Sequence, residues 1–299
     1  MIATAAAAVE KRPTATQSLN RRVESRYYRR RVVNRKQNER EGHKQPFKSF
    51  TLLTRSKMEE SAVKYILLDI EGTVLPISFV KDILFAYVRE HLEKFLEESW
   101  LGSDVQQAIE DIQEFSKTNP ESPLVDKTDK KSVIKNVFWQ MDRDLKTAGL
   151  KTLQGLIWFA GYQKHELVAN LYEDVYPALK KWNEKGIKIG IYSSGSIFAQ
   201  RLLFEHTQYG SLLDILDSFH DLTTAGSKSQ PSSYTAIAKR ISCPVKHVLF
   251  LTDVYEEYIA ARTAGMQAAV VFRSGNKLLS KEEKQDVKLI STFEAIAFC

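Results

Sequence analysis

The second half of the chain alternates short apolar runs with amphipathic segments, and this alternation restricts the fold more than any other feature. The stretches IKIGIYSSGS, HVLFLTDV and QAAVVFR each begin as short apolar runs, as buried strands do. Between them lie segments with helical spacing, such as VYPALKKWNEKG, which ends at Gly186. Strands that alternate with helices pair in parallel through right-handed crossovers. We therefore predict an α/β fold with a doubly wound parallel sheet.

An earlier strand stands apart from this series. The apolar run Tyr65–Leu68 leads directly into a glycine turn, which is typical of a buried strand. A long, largely helical stretch then follows, although residues 99–130 are polar and carry loop signals. We expect a core formed by residues 58–80 and 171–299. A helical cap, residues 81–170, is expected as an insertion after the first strand.

The N-terminal segment differs in composition from the rest. The first 57 residues hold 15 of the 43 Lys and Arg but 4 of the 37 Asp and Glu, so the remainder is mildly acidic. The segment lacks apolar periodicity, and we interpret residues 1–57 as a disordered basic leader. A transit peptide, a nucleic-acid-binding or nuclear address and a dispensable extension remain open. We favour the last, because Met58 offers a natural internal start.

Cysteine content and hydropathy restrict the compartment. The two cysteines, Cys243 and Cys299, lack metal-type spacing and do not suggest a disulfide scaffold, which fits a reducing compartment. No stretch approaches the roughly 20 apolar residues that a membrane helix needs. We expect a cytoplasmic monomer that binds no membrane, with a nuclear pool or organelle import left open. The folded body is expected to bind no nucleic acid.

Polar side chains follow the predicted strands or lie in an adjacent loop. In parallel sheets, ligands bind where the carboxyl ends of the strands run into loops. The candidate residues there are Asp69, Glu71, Ser193, Ser194, Lys228 in the loop AGSKSQP, and Asp253. Crowded carboxylates need a cation, and hard oxygen ligands select Mg²⁺. Hydroxyls, backbone N–H groups and an ammonium can hold a phosphate. The set predicts a site for a phosphate and a magnesium ion.

The first two acids suggest specific chemistry. Asp69 and Glu71 are separated by one residue at a strand end, so their side chains point the same way. One carboxylate can attack phosphorus and form an aspartyl-phosphate. The second can protonate the leaving oxygen and then activate water. Gly72 lets the backbone turn without a Cβ in the site. Each feature alone also occurs at ordinary caps and turns, but their combination favours catalysis.

The chain resembles the haloacid-dehalogenase-type phosphotransferases and, among these, the enolase-phosphatases of methionine salvage, also called acireductone synthases. The resemblance covers residues 65–293 and includes LLDIEGTVLPISFVKDILFAY, IYSSGS and FLTDVYEEYIAA. The form D-I-E-G-T, with Glu71 where the superfamily usually has Asp, is a hallmark of this family. The resemblance implies a haloacid-dehalogenase-like core and one Mg²⁺ per subunit. It also implies conversion of 2,3-diketo-5-methylthiopentyl-1-phosphate to 1,2-dihydroxy-3-keto-5-methylthiopentene and phosphate.

The resemblance also implies individual roles. Asp69 matches the nucleophile and Glu71 the acid and base. The positions that match substrate contacts are Ser193, Ser194 and Lys228. Those that match magnesium ligands are Asp69, Glu71 and Asp253, and Glu257 matches a second acidic position. The sequence departs from the family pattern at His165, where the family has glycine, at Tyr176, where it has proline, and at Gln230, where it has an acidic residue. These departures concern the fit of the cap and the orientation of the lysine.

Other functions remain as alternatives. A general Mg²⁺-dependent sugar-phosphate phosphatase would share the fold and the acids. A metal-free dehalogenase is disfavoured, because Glu71 and Asp253 are both present. An inactive scaffold with a nucleic-acid-binding basic leader belongs to a different class, and the intact set of acids argues against it. A dinucleotide-binding fold is excluded, because no G-x-G-x-x-G follows the first strand.

Overall fold

A single parallel sheet organises residues 63–296, the part of the chain that the computed structural model describes. Within this part, six strands occur in the order β3-β2-β1-β4-β5-β6, and every neighbouring pair is parallel. The strands are β1, Tyr65–Leu68; β2, Lys188–Tyr192; β3, Ser218–His220; β4, Val248–Thr252; β5, Gln267–Val271; and β6, Leu289–Ile290. The predicted parallel α/β sheet is confirmed. The proposed leader, the start at Met58 and Cys299 lie outside the described residues.

Helices connect these strands. Between β1 and β2 a π-helical segment, Phe79–Leu84, leads into a group of long helices. These are α1, Phe85–Ser99; α2, Ser103–Thr118; α3, Lys130–Asp142; and α4, Ala148–Gln163. The remaining helices are α5, Val175–Glu184; α6, Ile197–Glu205; α7, Pro231–Arg240; α8, Tyr255–Thr263; and α9, Lys281–Asp286. Among the described residues, no helix is long and apolar enough to cross a bilayer.

Both faces of the sheet are buried, as the apolar strand sequences require. Ile66 and Leu68 of β1 belong to the apolar cluster that also includes α1 to α6. Tyr65 and Leu67 point to the opposite cluster, which includes α7 and α8. Successive residues of a strand face opposite ways, so a strand covered on both sides must be apolar throughout. Full burial of each such Leu or Ile contributes about 1.5–3 kcal/mol.

Helix α2 lies within residues 99–130, which the sequence predicts as polar with loop signals. The two loop signals lie after this helix, at residues 119–123 and 126–131, so the prediction of a largely helical stretch stands. Val105, Ile109 and Ile112 are buried at helical spacing, although Gln, Glu and Asp surround them in the sequence. The helix packs closely on α4 at Gly149, where an added Cβ would lie 2.7 Å from the Ala108 carbonyl oxygen. The polar residues cover the solvent side and obscure a narrow apolar stripe.

Two of the departures from the family pattern have local consequences. His165, just after α4, has a φ of 59°, in the left-handed region where a glycine is relaxed. The family's glycine at this position therefore fits the same backbone, and histidine adopts it at a cost of about 1–2 kcal/mol. Tyr176 stacks on Tyr209 with ring centroids 4.7 Å apart. Both substitutions are accommodated without a break in the surrounding helices.

Strand β3 is not predicted from the sequence, because it has three residues and lies at the sheet edge. It contributes His220, whose Nε2 lies 2.8 Å from the Ser218 hydroxyl oxygen. Burial lowers the pKa of His220 to about 4, with a further contribution from Arg240. The backbone carbonyl of His220 accepts a hydrogen bond from Ser193 N at 3.2 Å, so this edge supports the predicted phosphate loop.

The depressed pKa of His220 predicts a dependence of stability on pH. Below the usual histidine pKa of about 6.5, His220 binds a proton in the unfolded chain. In the folded chain it stays neutral until the pH falls near 4. The free energy of unfolding should therefore fall by about 2 kcal/mol from this group between about pH 7.5 and pH 5. Urea unfolding of wild type and His220→Gln over this range measures the difference. An equal loss in both proteins would contradict the prediction.

Candidate active site

The carboxyl ends of the three central strands bring the predicted residues to one edge of the sheet. Leu68 of β1 is paired with Ile191 of β2 and with Leu251 of β4. Asp69 directly follows β1, and its N–H donates to the Leu251 carbonyl at 2.9 Å. Ser193 and Asp253 follow β2 at Tyr192 and β4 at Thr252 in the same way. The register therefore places these side chains side by side.

Asp69 is buried and held from several directions, with 5% of its surface exposed. Its Oδ1 lies 2.6 Å from Lys228 Nζ and accepts a hydrogen bond from Ile70 N at 2.7 Å. The Thr252 hydroxyl oxygen lies 3.4 Å from Oδ2. A carboxylate that is fixed in this way has a defined direction for attack, which is the property a nucleophile needs.

Lys228 links two carboxylates at the centre of the site. Its Nζ is 2.6 Å from Asp69 and 2.8 Å from Glu257 Oε2, and the lysine is 8% exposed. Its backbone is fixed by Tyr234, whose hydroxyl donates to the Lys228 carbonyl at 2.6 Å. Burial alone would lower the pKa of Lys228, but the two carboxylates outweigh it and raise the pKa above its ordinary value.

Glu257 orients Lys228. The sequence left this orientation open, because Gln230 stands where the family has an acidic residue. Gln230 is exposed, whereas Glu257 ion-pairs with Lys228 and accepts a hydrogen bond from the Thr252 hydroxyl at 2.7 Å. The Glu257 side chain is in turn positioned by helix α8, two residues after its start at Tyr255. The departure at Gln230 therefore leaves Lys228 fixed.

The remaining carboxylates are crowded and carry raised pKa values. Burial, together with Asp69, raises the pKa of Glu71 to about 6. Burial also raises the pKa of Asp253 to about 7, with contributions from Asp69 and Glu257. The pKa of Glu257 rises to about 7 for the same reasons, burial first and Asp69 second. Within the described residues, ion pairs to these four carboxylates come from Lys228 alone. The site is therefore short of positive charge.

The turn after Glu71 brings backbone against a carboxylate. Gly72 has a φ of 69°, and an added Cβ there would lie 2.3 Å from Asp253 Oδ2. Asn276 Nδ2 donates to the Gly72 carbonyl at 2.9 Å, and its buried Oδ1 has no partner within the described chain. Sequence reasoning missed Asn276, although its place in VVFRSGN lies within the family resemblance. The Asn276 amide therefore holds the turn at the Gly72 carbonyl.

A buried arginine anchors the same turn from the other side. Arg273 binds both oxygens of Asp174 at 2.8 and 2.9 Å, and it donates to the Thr73 carbonyl at 3.3 Å. Its guanidinium also lies over the ring of Tyr172, 4.5 Å from the centroid. Two parallel hydrogen bonds to a carboxylate fix a guanidinium geometrically. Arg273 therefore ties the turn to the start of α5.

The predicted phosphate loop after β2 is tightly braced. Ser193 is buried, and its hydroxyl oxygen accepts a hydrogen bond from Gly195 N at 3.3 Å. Gln200 of α6 donates to the Gly195 carbonyl at 2.8 Å. Asp221 accepts from Ile197 N at 3.3 Å, at the first residue of α6. Neither Gln200 nor Asp221 has a sequence signal, because their partners lie in other segments of the fold.

The residues at this edge fit a magnesium ion, although the described part of the chain holds no preformed cage. Among residues 63–296, no three His, Cys, Asp or Glu side chains form a ready metal-binding group. Magnesium needs no such cage, since it usually binds one or two carboxylates, waters and a substrate phosphate. The excess of buried carboxylate, the raised pKa of Asp253 and the unpartnered Oδ1 of Asn276 all favour a hard cation here. Phosphatases of the haloacid-dehalogenase type, which the sequence resembles, generally depend on Mg²⁺.

The fold and site define a hydrolase class, and three comparisons agree with it. A family model described as haloacid dehalogenase-like hydrolase matches residues 63–265. Enolase-phosphatase E1 of Xenopus tropicalis is 43% identical over 247 residues, which cover 79% of this chain and 95% of that protein. Enolase-phosphatase E1 of Drosophila melanogaster is 40% identical and covers 79% and 94%. The solved UTR4 protein of Saccharomyces cerevisiae has a TM-score of 0.65 at 30% identity and covers 78% and 99%.

These findings place the chain among the haloacid dehalogenase-like hydrolases. Identity above 40% across nearly the full length of a relative identifies the family and not only the fold. The chain belongs to the enolase-phosphatase family of this class.

Gly72→Ala should disable the site while leaving the fold intact. The new Cβ would meet Asp253, so we expect loss of phosphatase activity and weaker magnesium binding, measured by turnover and by calorimetry. Gly186→Ala is the matched control, because its φ of 76° imposes the same left-handed strain but nothing lies within 4 Å of an added Cβ. Each variant should lose about 1 kcal/mol of stability from the backbone. Similar activity in both variants would contradict the role given to the Gly72 turn.

Lys228→Met should be far more costly than removal of an exposed lysine. It leaves two buried carboxylates unpaired, so we expect the free energy of unfolding to fall by about 3–5 kcal/mol. The control is Lys188→Met, which removes a 2.9 Å pair with Asp217 whose lysine is 63% exposed. That change should cost about 1 kcal/mol or less. Denaturant unfolding without metal measures the free energy of unfolding of both variants. Equal losses would refute the stabilising role of Lys228 between the two buried carboxylates.

Proposed function

We propose that this enzyme converts 2,3-diketo-5-methylthiopentyl-1-phosphate to 1,2-dihydroxy-3-keto-5-methylthiopentene and phosphate. The observation that carries the proposal is the buried contact between Asp69 and Lys228 at the end of β1. It occurs in a chain that aligns with 95% of a relative named Enolase-phosphatase E1. The reaction joins an enolisation to a phosphate-ester hydrolysis, and the site offers groups for both.

Phosphate transfer would begin at Asp69. Its carboxylate attacks phosphorus, the ester oxygen leaves, and an aspartyl-phosphate forms that water then hydrolyses. Lys228 would offset negative charge on the transferring group, because its ammonium already touches Asp69. Ser193 and Ser194 lie at the end of the neighbouring strand β2, where a hydroxyl and backbone N–H groups can bind phosphate oxygens.

Glu71 would move protons at the same place. Its raised pKa of about 6 suits a carboxyl that gives a proton to the leaving oxygen and then takes one from water. Glu71 is also the candidate base for enolisation, which removes a proton from the carbon that carries the phosphate ester. Its position two residues after Asp69 keeps it within reach of both steps.

Asp69, Asp253 and the backbone carbonyl of Glu71 would hold one Mg²⁺. When bound, the ion would neutralise charge on the phosphate oxygens. Asp253 lies at the end of β4, adjacent to β1, so the two aspartates approach from neighbouring strands. Asn276 would support this arrangement from behind through the Gly72 carbonyl.

The helical segment 81–170 would act as the cap that closes over the substrate. Helices α1 to α4 lie within it, and α4 contacts the core at α6, where the rings of Phe159 and Phe198 are 6.2 Å apart. A closed cap excludes water from the reactive enol and ester. The core would then comprise residues 58–80 and 171–299.

Asp69→Asn should abolish phosphate release, because it removes the attacking charge while keeping the side-chain shape. We expect a loss of roughly 10³-fold or more in phosphate release from the diketone phosphate with Mg²⁺ present. Asp82→Asn, which alters an exposed carboxylate between β1 and α1, serves as control and should retain activity. Phosphate release and enediol absorbance would be followed together, and substantial turnover by Asp69→Asn would reject the nucleophile.

The same assay separates the proposed reaction from general phosphatase activity. A panel of sugar phosphates, offered beside the diketone phosphate, should be hydrolysed with a much lower kcat/KM. Comparable rates over the panel would favour a general phosphatase of the same fold. Retained activity in excess chelator would reject the metal proposal without affecting the nucleophile.

A further inference from the structure

A lysine of the cap reaches into the phosphate loop of the core. Lys151 lies in the first turn of α4, and its Nζ donates to the Ser194 carbonyl oxygen at 3.0 Å. The residue is half-buried at this contact. Neither the sequence motifs nor the reaction described above assigns it a role. Partial burial of an ammonium beside the proposed phosphate site costs desolvation free energy unless an oppositely charged or polar group interacts with it.

Packing of α4 on α6 determines where this lysine lies. Residues 151, 155 and 159 occupy one face of the helix at intervals of four. A Cβ on Gly155 would come within 3.3 Å of the Phe198 ring, and Phe159 packs on the same ring. Lys151 lies one turn, about 6 Å, before Gly155, so its long side chain extends over the loop that precedes α6. The contact with Ser194 follows from this helix register.

The electrostatic surroundings leave the Lys151 ammonium available to a ligand. An ammonium has three N–H donors. Within residues 63–296, the hydrogen bond from Nζ is the one to the Ser194 carbonyl. Asp221 provides favourable charge at longer range, yet burial lowers the pKa of Lys151. Lys228, by contrast, already contacts two carboxylates. Lys146 is also less suited than Lys151, because its side chain is 55% exposed and pairs with Asp144 at 3.7 Å.

We propose that Lys151 is a catalytic residue of the enolisation step, binding the carbonyl oxygen next to the phosphate-bearing carbon and donating a proton to it. This inference rests on the proposed function. In the substrate, one carbon separates that carbonyl from the ester oxygen. A phosphate bound at Asp69 and the Ser193–Ser194 loop would therefore place the carbonyl close to the loop rim, where Lys151 lies.

The step balances without any additional reagent. The carboxylate base removes a proton from the phosphate-bearing carbon, and the C–H electron pair becomes the new C=C bond. The π pair of the carbonyl moves to oxygen, which takes the proton from the Lys151 ammonium. The neutral amine regains a proton from solvent, and no group is oxidised or reduced. Stabilisation of a developing oxyanion by a fixed cation is among the strongest catalytic effects.

Enolisation can be measured apart from phosphate release in the Asp69→Asn protein. Exchange of the hydrogens on the phosphate-bearing carbon with D₂O, followed by NMR, reports that step alone. Adding Lys151→Met should slow the exchange roughly 10²-fold or more. The matched control is Lys135→Met, because Lys135 is an exposed lysine of cap helix α3 and should leave exchange unchanged.

A second readout uses a substrate that has no carbonyl. With Asp69 intact, Lys151→Met should lower kcat for the diketone phosphate strongly. Phosphate release from propyl phosphate should stay within about threefold of wild type, since this ester needs no enolisation. Equal losses on both substrates would overturn the proposal, because they would mean that Lys151 merely holds the loop.

Lys151→Gln tests the loop-holding explanation directly. The amide can still donate to the Ser194 carbonyl but carries neither charge nor a transferable proton. It should behave like the methionine variant in the exchange assay, and wild-type exchange by this variant would also overturn the proposal. If wild type itself neither enolises nor dephosphorylates the diketone phosphate, the proposed function fails. Normal wild-type turnover with unaffected exchange in the Lys151 variants rejects only the present inference.

Discussion

The buried contact of Lys228 with Asp69 and Glu257 is the interaction on which the site depends. It brings a loop, the end of β1 and the start of α8 to one point, and it fixes the direction of the Asp69 carboxylate. A single lysine cannot balance four crowded acids, so the pKa values of Glu71, Asp253 and Glu257 remain raised. The proposed magnesium ion would offset this excess of negative charge.

The sheet order explains why these groups can meet at all. β1 lies between β2 and β4, so the acids after β1 have the predicted phosphate loop on one side and Asp253 on the other. The two faces of the sheet are closed by apolar packing, which leaves the strand ends as the open edge. Arg273 and Asn276 then hold the turn after Glu71 through the carbonyls of Thr73 and Gly72. The candidate site is therefore built on rigid strand ends that buried polar contacts support.

The cap and the core share the chemistry in the arrangement we propose. The core supplies the groups for phosphate transfer, and α4 supplies Lys151 for the carbonyl that lies next to the ester. Small residues of α4 permit the required close packing, since α2 packs against Gly149 and the Phe198 ring packs against Gly155. In this arrangement, the inserted helical segment adds an enolisation step to a phosphatase core. It does so by placing the Lys151 ammonium over the loop after β2.

Local patterns in the sequence determined the alternation of strands and helices, the acids at the strand ends and the family itself. Such features depend on period and adjacency along the chain, so no folding is needed to read them. Only the tertiary structure decided that Glu257 rather than Gln230 orients Lys228, that Arg273 and Asn276 support the turn after Glu71, and that Lys151 of α4 reaches Ser194. The edge strands β3 and β6 were not predicted for a related reason. Their stability comes from neighbours distant in sequence, and contacts between distant segments leave no period for a sequence to display.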